Sequence, residues 1–361
     1  MSAPAPSLYS PAAKKVAEKL GLKLGRANLE EFADTLLALA RADRNVVAVT
    51  SDSRGSGKLG PFGQALPQQI VELGIAEQNL VGVAAGLASA GKIVFAVSPA
   101  CFLTARSFEQ IKNDVAYSDN PVTLVGISAG VSYGALGTTH HSLHDFAALR
   151  AINNLTIIAP ADNYETREAV KAAAAASHPV YLRFGKAPLY HLPAETSVPF
   201  TAGQARVLRQ GNDLAFVASG ETVIHTLLAA ERLAETDGLS CRVVSVPTIK
   251  PLDTEAVLAA ARDCGALITV EEHMVHGGLG EACAGVIAQS SVACRFKIVG
   301  IPDEYTVTGS QADIFRHYGI SMEGLANTAR EVLHTGRALR PTSGSVLTLS
   351  GVKPDPQPSL G

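Results

Sequence analysis

From about residue 27 onward, short apolar runs alternate with stretches in which apolar positions recur every three to four residues. The runs at 46–51, 93–97, 122–127, 155–159 and 180–184 are nearly continuous in apolar, often β-branched residues. That is the pattern of strands covered on both faces of a parallel sheet, not of half-exposed strands, which alternate. Helical periodicity fills the intervals near 29–41, 75–90, 103–117 and 164–176. A proline-rich crossing at 188–199 leads into a second unit of the same kind. Its strands are expected at 214–218, 242–246, 266–270 and 296–301, and its helices near 222–235, 254–262, 280–289 and 322–333. The fold class is therefore α/β, with two domains, each a mainly parallel sheet covered by helices. The expected boundaries are a linker at 1–25, a first domain at 26–190 and a second at 200–335. The Pro/Ser/Gly-rich stretch 341–361 reads as a disordered tail. The first 26 residues are basic and nearly acid-free, faintly like a transit peptide, but read better as a linker carrying a short helix near 12–20.

Composition narrows the function. A chain of 361 residues that is 47% hydrophobic and 17% charged can bury two sizeable cores. Its formal net charge of −3 offers no electrostatic case for nucleic acid. The five cysteines form no C-x-x-C pair and suit reduced core positions in a cytoplasmic protein. No apolar run is long enough to span a membrane, and the N-terminus lacks the apolar stretch of a secretory signal.

Two clusters can carry chemistry. Glu77 lies just inside the otherwise apolar, small-residue helix predicted over 75–90. The helix dipole favours its ionised form by ~0.3–1 kcal/mol. Dry burial favours the neutral form, so a site that excludes water would make Glu77 a proton donor. Spacing alone favours an exposed first-turn glutamate. The second cluster is His140, His141, His144 and Asp145. On a helix, His140 and His144 could hold a metal. Gly134 and Gly137 favour a loop instead, with His140 at a helix start.

The surrounding words change the weight of Glu77. Glu72-Leu-Gly-Ile-Ala-Glu-Gln-Asn, Gly82-Val-Ala-Ala-Gly-Leu-Ala, Phe102 with Phe108-Glu-Gln-Ile, Gly137-Thr-Thr-His140 and Ile158-Ala-Pro-Ala-Asp162 follow one another in that order. Together, from about Arg26 to Leu333, they resemble the C-terminal half of transketolase and of deoxyxylulose-phosphate synthase. The resemblance implies a pyrimidine-binding domain, a transketolase C-terminal domain and thiamine diphosphate as cofactor. It assigns to Glu77 the protonation of the cofactor's pyrimidine, to Phe102 stacking on that ring, and to Asp52 a place near the thiazolium. It assigns to His140 a hydrogen bond to the substrate's hydroxyl and oxyanion, and to Arg26, Ser56 and Arg183 contacts with a substrate phosphate. For Arg183, at the end of an apolar strand, the ordinary alternative is an internal carboxylate. Two positions depart from the family: Ser128 stands where a phosphate-site histidine is usual, and Leu136 where an aspartate reads the acceptor's hydroxyl. An unusual, deoxygenated, branched or unphosphorylated acceptor is the expectation. The turn Glu271-Glu-His-Met-Val-His-Gly-Gly-Leu-Gly280 resembles a phosphate loop only weakly, and His273 and His276 read as structural or interface residues.

The family holds the diphosphate and Mg²⁺ with a Gly-Asp-Gly sequence, which occurs nowhere in this chain. The resemblance therefore implies an N-terminal partner subunit that carries this motif and the Mg²⁺, two copies of each, and an active site at their interface. The activity expected is transfer of a two-carbon ketol unit between sugar-type substrates by a split transketolase-like enzyme. The alternatives are a deoxyxylulose-phosphate synthase-like enzyme, the beta-type subunit of a 2-oxo acid dehydrogenase, a non-catalytic scaffold subunit, and a metal-dependent hydrolase built on the histidine cluster.

Overall fold

The computed structural model describes residues 7–193 and 199–335. The segment 341–361, expected to be a disordered tail, lies outside the described residues.

The first sheet has seven strands, in the order Thr248–Lys250, Thr156–Ile158, Val180–Arg183, Val122–Ile127, Ile93–Pro99, Val46–Thr50, Ile70–Glu72. Its five inner strands are the five expected ones, and they run parallel. Each is buried nearly along its whole length, which is why its sequence is continuously apolar. The two edge strands were not anticipated. Each is three residues long, too short to show a period. Thr248–Lys250 belongs by sequence to the second unit and runs antiparallel to Thr156–Ile158. The second sheet has the order Arg295–Ile301, Ala266–Met274, Leu214–Ala218, Cys241–Ser245, Arg206–Arg209. Only Arg206–Arg209 is antiparallel.

The helix expected over 103–117 is broken. It runs as Ala100–Arg106, a short turn Phe108–Gln110, and a wider π-helical segment Ile111–Tyr117. Ser107 explains the break: its hydroxyl donates to the Leu103 carbonyl and competes with its own N–H, which is left 3.4 Å from that oxygen.

Residues 8–27 do more than link. Helix Pro11–Lys19 starts on a Ser10 cap with proline in its first turn. Its buried face (Ala13, Val16, Ala17) joins the apolar core of the second unit, and Lys19 pairs with Glu231 and Glu235 on helix Val223–Asp237. Strand Leu24–Ala27 then pairs antiparallel with Pro188–Tyr190, inside the proline-rich crossing.

The two units meet through buried charge. Arg183 donates from Nε to Asp145 Oδ2 at 2.8 Å, and from Nη2 to the carbonyls of Ser142 and Glu272. Tyr181 adds a 2.8 Å bond to the same Asp145 oxygen. Burial pushes the Asp145 carboxyl up, but Arg183, His273 and Tyr181 together outweigh it and hold it below the usual range. From the second unit, Glu272 accepts the Val131 amide and Gln311 Nε2, and Glu221 accepts the Gly185 amide. Both carboxyls reach the first unit only because glycine faces them. A Cβ on Gly130 would lie 2.2 Å from the Glu272 carboxyl carbon, and one on Gly185 would lie 2.1 Å from Glu221 Oε2.

These burials generate two expectations. Arg183→Met strands the buried Asp145 carboxylate and should cost about 3–5 kcal/mol in denaturant unfolding, with part recovered in the Asp145→Asn/Arg183→Met double variant; a loss under about 1 kcal/mol would mean the pair is dispensable. The second concerns pH. Burial raises Glu271 and Glu272 to about 7, and raises Glu221 as well. Burial lowers His273 and His225 to about 4. The raised carboxyls make the folded state bind more protons than the unfolded one, so stability falls as pH rises through their range. The depressed histidines act in the opposite sense, but only up to about 6.5, where an unfolded histidine titrates. Thermal midpoints should therefore fall between about pH 6.5 and 8, and Glu272→Gln should flatten that slope; an unchanged slope would count against it.

Candidate active site

Helix Glu77–Ser89 begins on Glu77 itself, after a turn in which Gly74 adopts φ +70°. Small residues let the helix lie close on the sheet, with Leu80, Val81, Ala84, Ala85 and Ala88 in its core. The Glu77 side chain is only 5% exposed. A carboxylate that dry needs a partner. It has one: Arg106 Nη1 lies 2.9 Å from Oε1 and 3.0 Å from Oε2. Arg106 closes the helix that also carries Phe102, one turn earlier, and its guanidinium lies over the Phe102 ring at 4.2 Å.

The row extends beyond Phe102. His140 meets the Phe102 ring edge-on at 5.3 Å and the Tyr133 ring edge-on at 5.4 Å. Lys186 sets its ammonium 4.6 Å from the Tyr133 ring centre. Glu77, Phe102 and His140 thus fall in one row, joined by Arg106, Tyr133 and Lys186, which sequence reasoning missed. Arg106 was visible in principle, since it stands four residues after Phe102 on one helix. Lys186 is the first cation beyond the end of strand Val180–Arg183. Burial, and Lys58 nearby, push its ammonium pKa down.

The histidine segment is a loop. Gly137 takes φ +71° and the helix starts only at Asp145, so His140 and His144 do not share a helix. Among the described residues no group of three His, Cys, Asp or Glu could hold a metal. His141 is buried and pins the loop: Nε2 donates to the Gly134 carbonyl at 3.0 Å, which leaves Nδ1 to accept the Thr306 hydroxyl at 2.7 Å. Burial lowers its pKa and keeps the ring neutral.

The other expected site residues stand outside this row. Arg183 is a correction: its guanidinium is committed to Asp145 and to two carbonyls inside the domain junction, so the internal carboxylate takes the role given to a phosphate. Arg26 bonds Glu31 and Asp34. Ser56 donates to the Ser53 carbonyl. Asp52 sits at φ +52° after strand Val46–Thr50, with its amide bonded to Glu72. Of the two departures, Ser128 is buried and Leu136 is 55% exposed on a short turn. The glycine-rich turn at 277–280 is no phosphate site here, because the Glu271 carboxylate already accepts the Leu279 and Gly280 amides.

Three cavities flank the row. One of about 560 Å³ surrounds Glu77 and includes Ile75, Gln78, Asn79 and Arg106. A second, about 800 Å³, is lined by Phe102, Arg106, Thr138, His144 and Tyr305 among others. A third, about 920 Å³, holds Tyr133, Lys186, Ser132, Tyr190 and Lys14.

Residues 26–190 match the transketolase pyrimidine binding domain, and residues 203–325 match the transketolase C-terminal domain. An apulose-4-phosphate transketolase subunit of Phocaeicola vulgatus is 48% identical over 84% of this chain and 96% of its own. A 6-deoxy-6-sulfo-D-fructose transketolase subunit of a Clostridium species is 35% identical over 84% of this chain and 93% of its own. A solved split-gene transketolase, described as an inactive beta4 tetramer, superposes with a TM-score of 0.76 at 34% identity, over 86% of this chain and 99% of that one. With a buried carboxylate, an aromatic and a histidine aligned in the first of its two matched domains, the chain belongs to the transketolase family, as the half that carries the pyrimidine-binding and C-terminal domains.

Proposed function

We propose that the chain supplies the C-terminal half of a split transketolase whose ketose donor is a branched or otherwise unusual sugar phosphate, of the apulose 4-phosphate kind. The observation that carries the site is the sandwich of a planar, N–H-donating guanidinium between the Glu77 carboxylate and the Phe102 ring. A protonated aminopyrimidine is likewise planar and N–H-donating, so the residues present fit thiamine diphosphate. When bound, the cofactor would supply the carbon nucleophile that takes up and releases the two-carbon unit. The chain's own residues do the rest. Glu77 holds a proton at a pyrimidine ring nitrogen. Phe102 stacks on the ring. His140, fixed by the loop that His141 pins, is placed to hydrogen-bond the reacting oxygen of the sugar. Lys186, beside Tyr133 in its cavity, forms a cationic end for the sugar's anionic group. Lys186 replaces Arg183 in that role because it faces a cavity and Arg183 does not.

The diphosphate and Mg²⁺ are assigned to a partner subunit with a Gly-Asp-Gly motif, because this chain has none. Two copies of each chain would assemble the site, and the beta-only tetramer described as inactive agrees with that division. An apolar Leu136 and the loss of a cation at Ser128 favour an acceptor that lacks the usual hydroxyl pattern. The relative named for apulose 4-phosphate is the ground for the unusual donor.

Glu77→Gln, assembled with the partner, cofactor and Mg²⁺, should slow hydrogen–deuterium exchange at the cofactor's C2 carbon by about 10²–10⁴-fold, read by NMR; fast exchange in that variant would refute the assignment. Lys186→Met should raise KM for a phosphorylated ketose roughly 10- to 100-fold while leaving turnover of an uncharged short ketose unchanged. An equal effect on both substrates would remove Lys186 from the anion site.

A further inference from the structure

Arg106 occupies an unusual position. Among the described residues it alone lines both the cavity around Glu77 and the cleft beside Phe102. Its guanidinium touches, at once, the carboxylate and the aromatic face that the cofactor's aminopyrimidine needs. The two side chains of the pair are unequal. Glu77 is 5% exposed and fixed at a helix start, whereas Arg106 is 48% exposed at a helix end. Both carboxylate oxygens are served by one nitrogen, Nη1, and not by the parallel two-nitrogen fork that makes Arg–carboxylate pairs strongest. A half-exposed guanidinium regains water readily when it swings out, while a buried carboxylate cannot follow it.

We propose that Arg106 is an internal occupant of the aminopyrimidine position: it caps Glu77 and covers Phe102 in the free subunit, and it must leave for the cofactor to enter. This rests on the functional reading above. A ring that touches both Glu77 and this face of Phe102 must fill the volume the guanidinium now fills, 4.2 Å from the ring centre. Departure of the side chain also joins the cavity around Glu77 to the cleft beside Phe102, opening one groove along the row. The subunit thereby stays folded before assembly without an unpaired buried charge, and cofactor binding exchanges one planar N–H donor for another.

The test uses the full chain assembled with its partner subunit and Mg²⁺, titrated with thiamine diphosphate by calorimetry, with Arg106→Met and Arg106→Lys alongside the wild type. Met cannot pair with Glu77, so no ionic bond holds its side chain over Phe102. With no ion pair to break before the ring can enter, Arg106→Met should bind the cofactor roughly tenfold tighter, and the free Arg106→Met chain should melt at a lower temperature than wild type. Arg106→Lys, which keeps the charge without the planar face, should bind between the two. Unchanged or weaker cofactor binding in Arg106→Met would overturn the proposal, since the arginine would then be neutral or a lasting part of the loaded site. Should Arg106→Met fail to fold, Arg106→Lys alone decides by the same criterion. Failure of the wider reading looks different: the wild-type complex would bind no thiamine diphosphate, and Glu77→Gln would change nothing.

Discussion

A carboxylate placed at the dry end of a small-residue helix must be partnered, and the arrangement of this protein's site follows from that requirement. The helix Glu77–Ser89 is rich in alanine, glycine and leucine so that it can lie against the sheet, and in doing so it takes its first residue out of water. Exposed, Glu77 would be an ordinary first-turn acid. Buried, it dictates that something planar and proton-donating sits opposite, against Phe102. The fold supplies both walls from parallel strands on either side of Val46–Thr50: Ile93–Pro99 leads into the helix of Phe102 and Arg106, and Ile70–Glu72 leads to Glu77.

The second unit has its own part in this geometry. It does not line the Glu77 pocket, but it fixes the loop that presents His140. Thr306 holds His141, Glu272 holds the Val131 amide, and Met274 donates its amide to the Leu143 carbonyl. These contacts bracket residues 131–143 on both sides. The density of buried acids and histidines at this junction costs desolvation. Its return is a loop whose position is set by directional bonds and not by packing alone.

Much of the fold is legible in the sequence, and the reason is burial. Strands covered on both faces read as unbroken apolar runs, so the inner strands of both sheets were found where expected. Of the edges, only Arg295–Ile301 was expected: Ile70–Glu72, Thr248–Lys250 and Arg206–Arg209 are too short for any period, and Thr248–Lys250 pairs across a domain boundary. Glu77, Phe102 and His140 were reached through motif order, and the structure sets Phe102 against His140 and links it to Glu77 through Arg106. Partnerships between distant residues stayed hidden. Arg183 finds its carboxylate 38 residues away and a carbonyl 89 residues away, which strand-end position cannot reveal. Arg106 escaped notice because a half-exposed arginine at a helix end looks ordinary until its buried partner is known.

The most direct measurement is a structure of the assembled complex with thiamine diphosphate bound. The account predicts a Glu77 carboxylate oxygen about 2.6–3.2 Å from a nitrogen of the pyrimidine ring, with Phe102 against the ring face. A ring seated elsewhere, with Glu77 still on Arg106 or turned to bulk water, would contradict it.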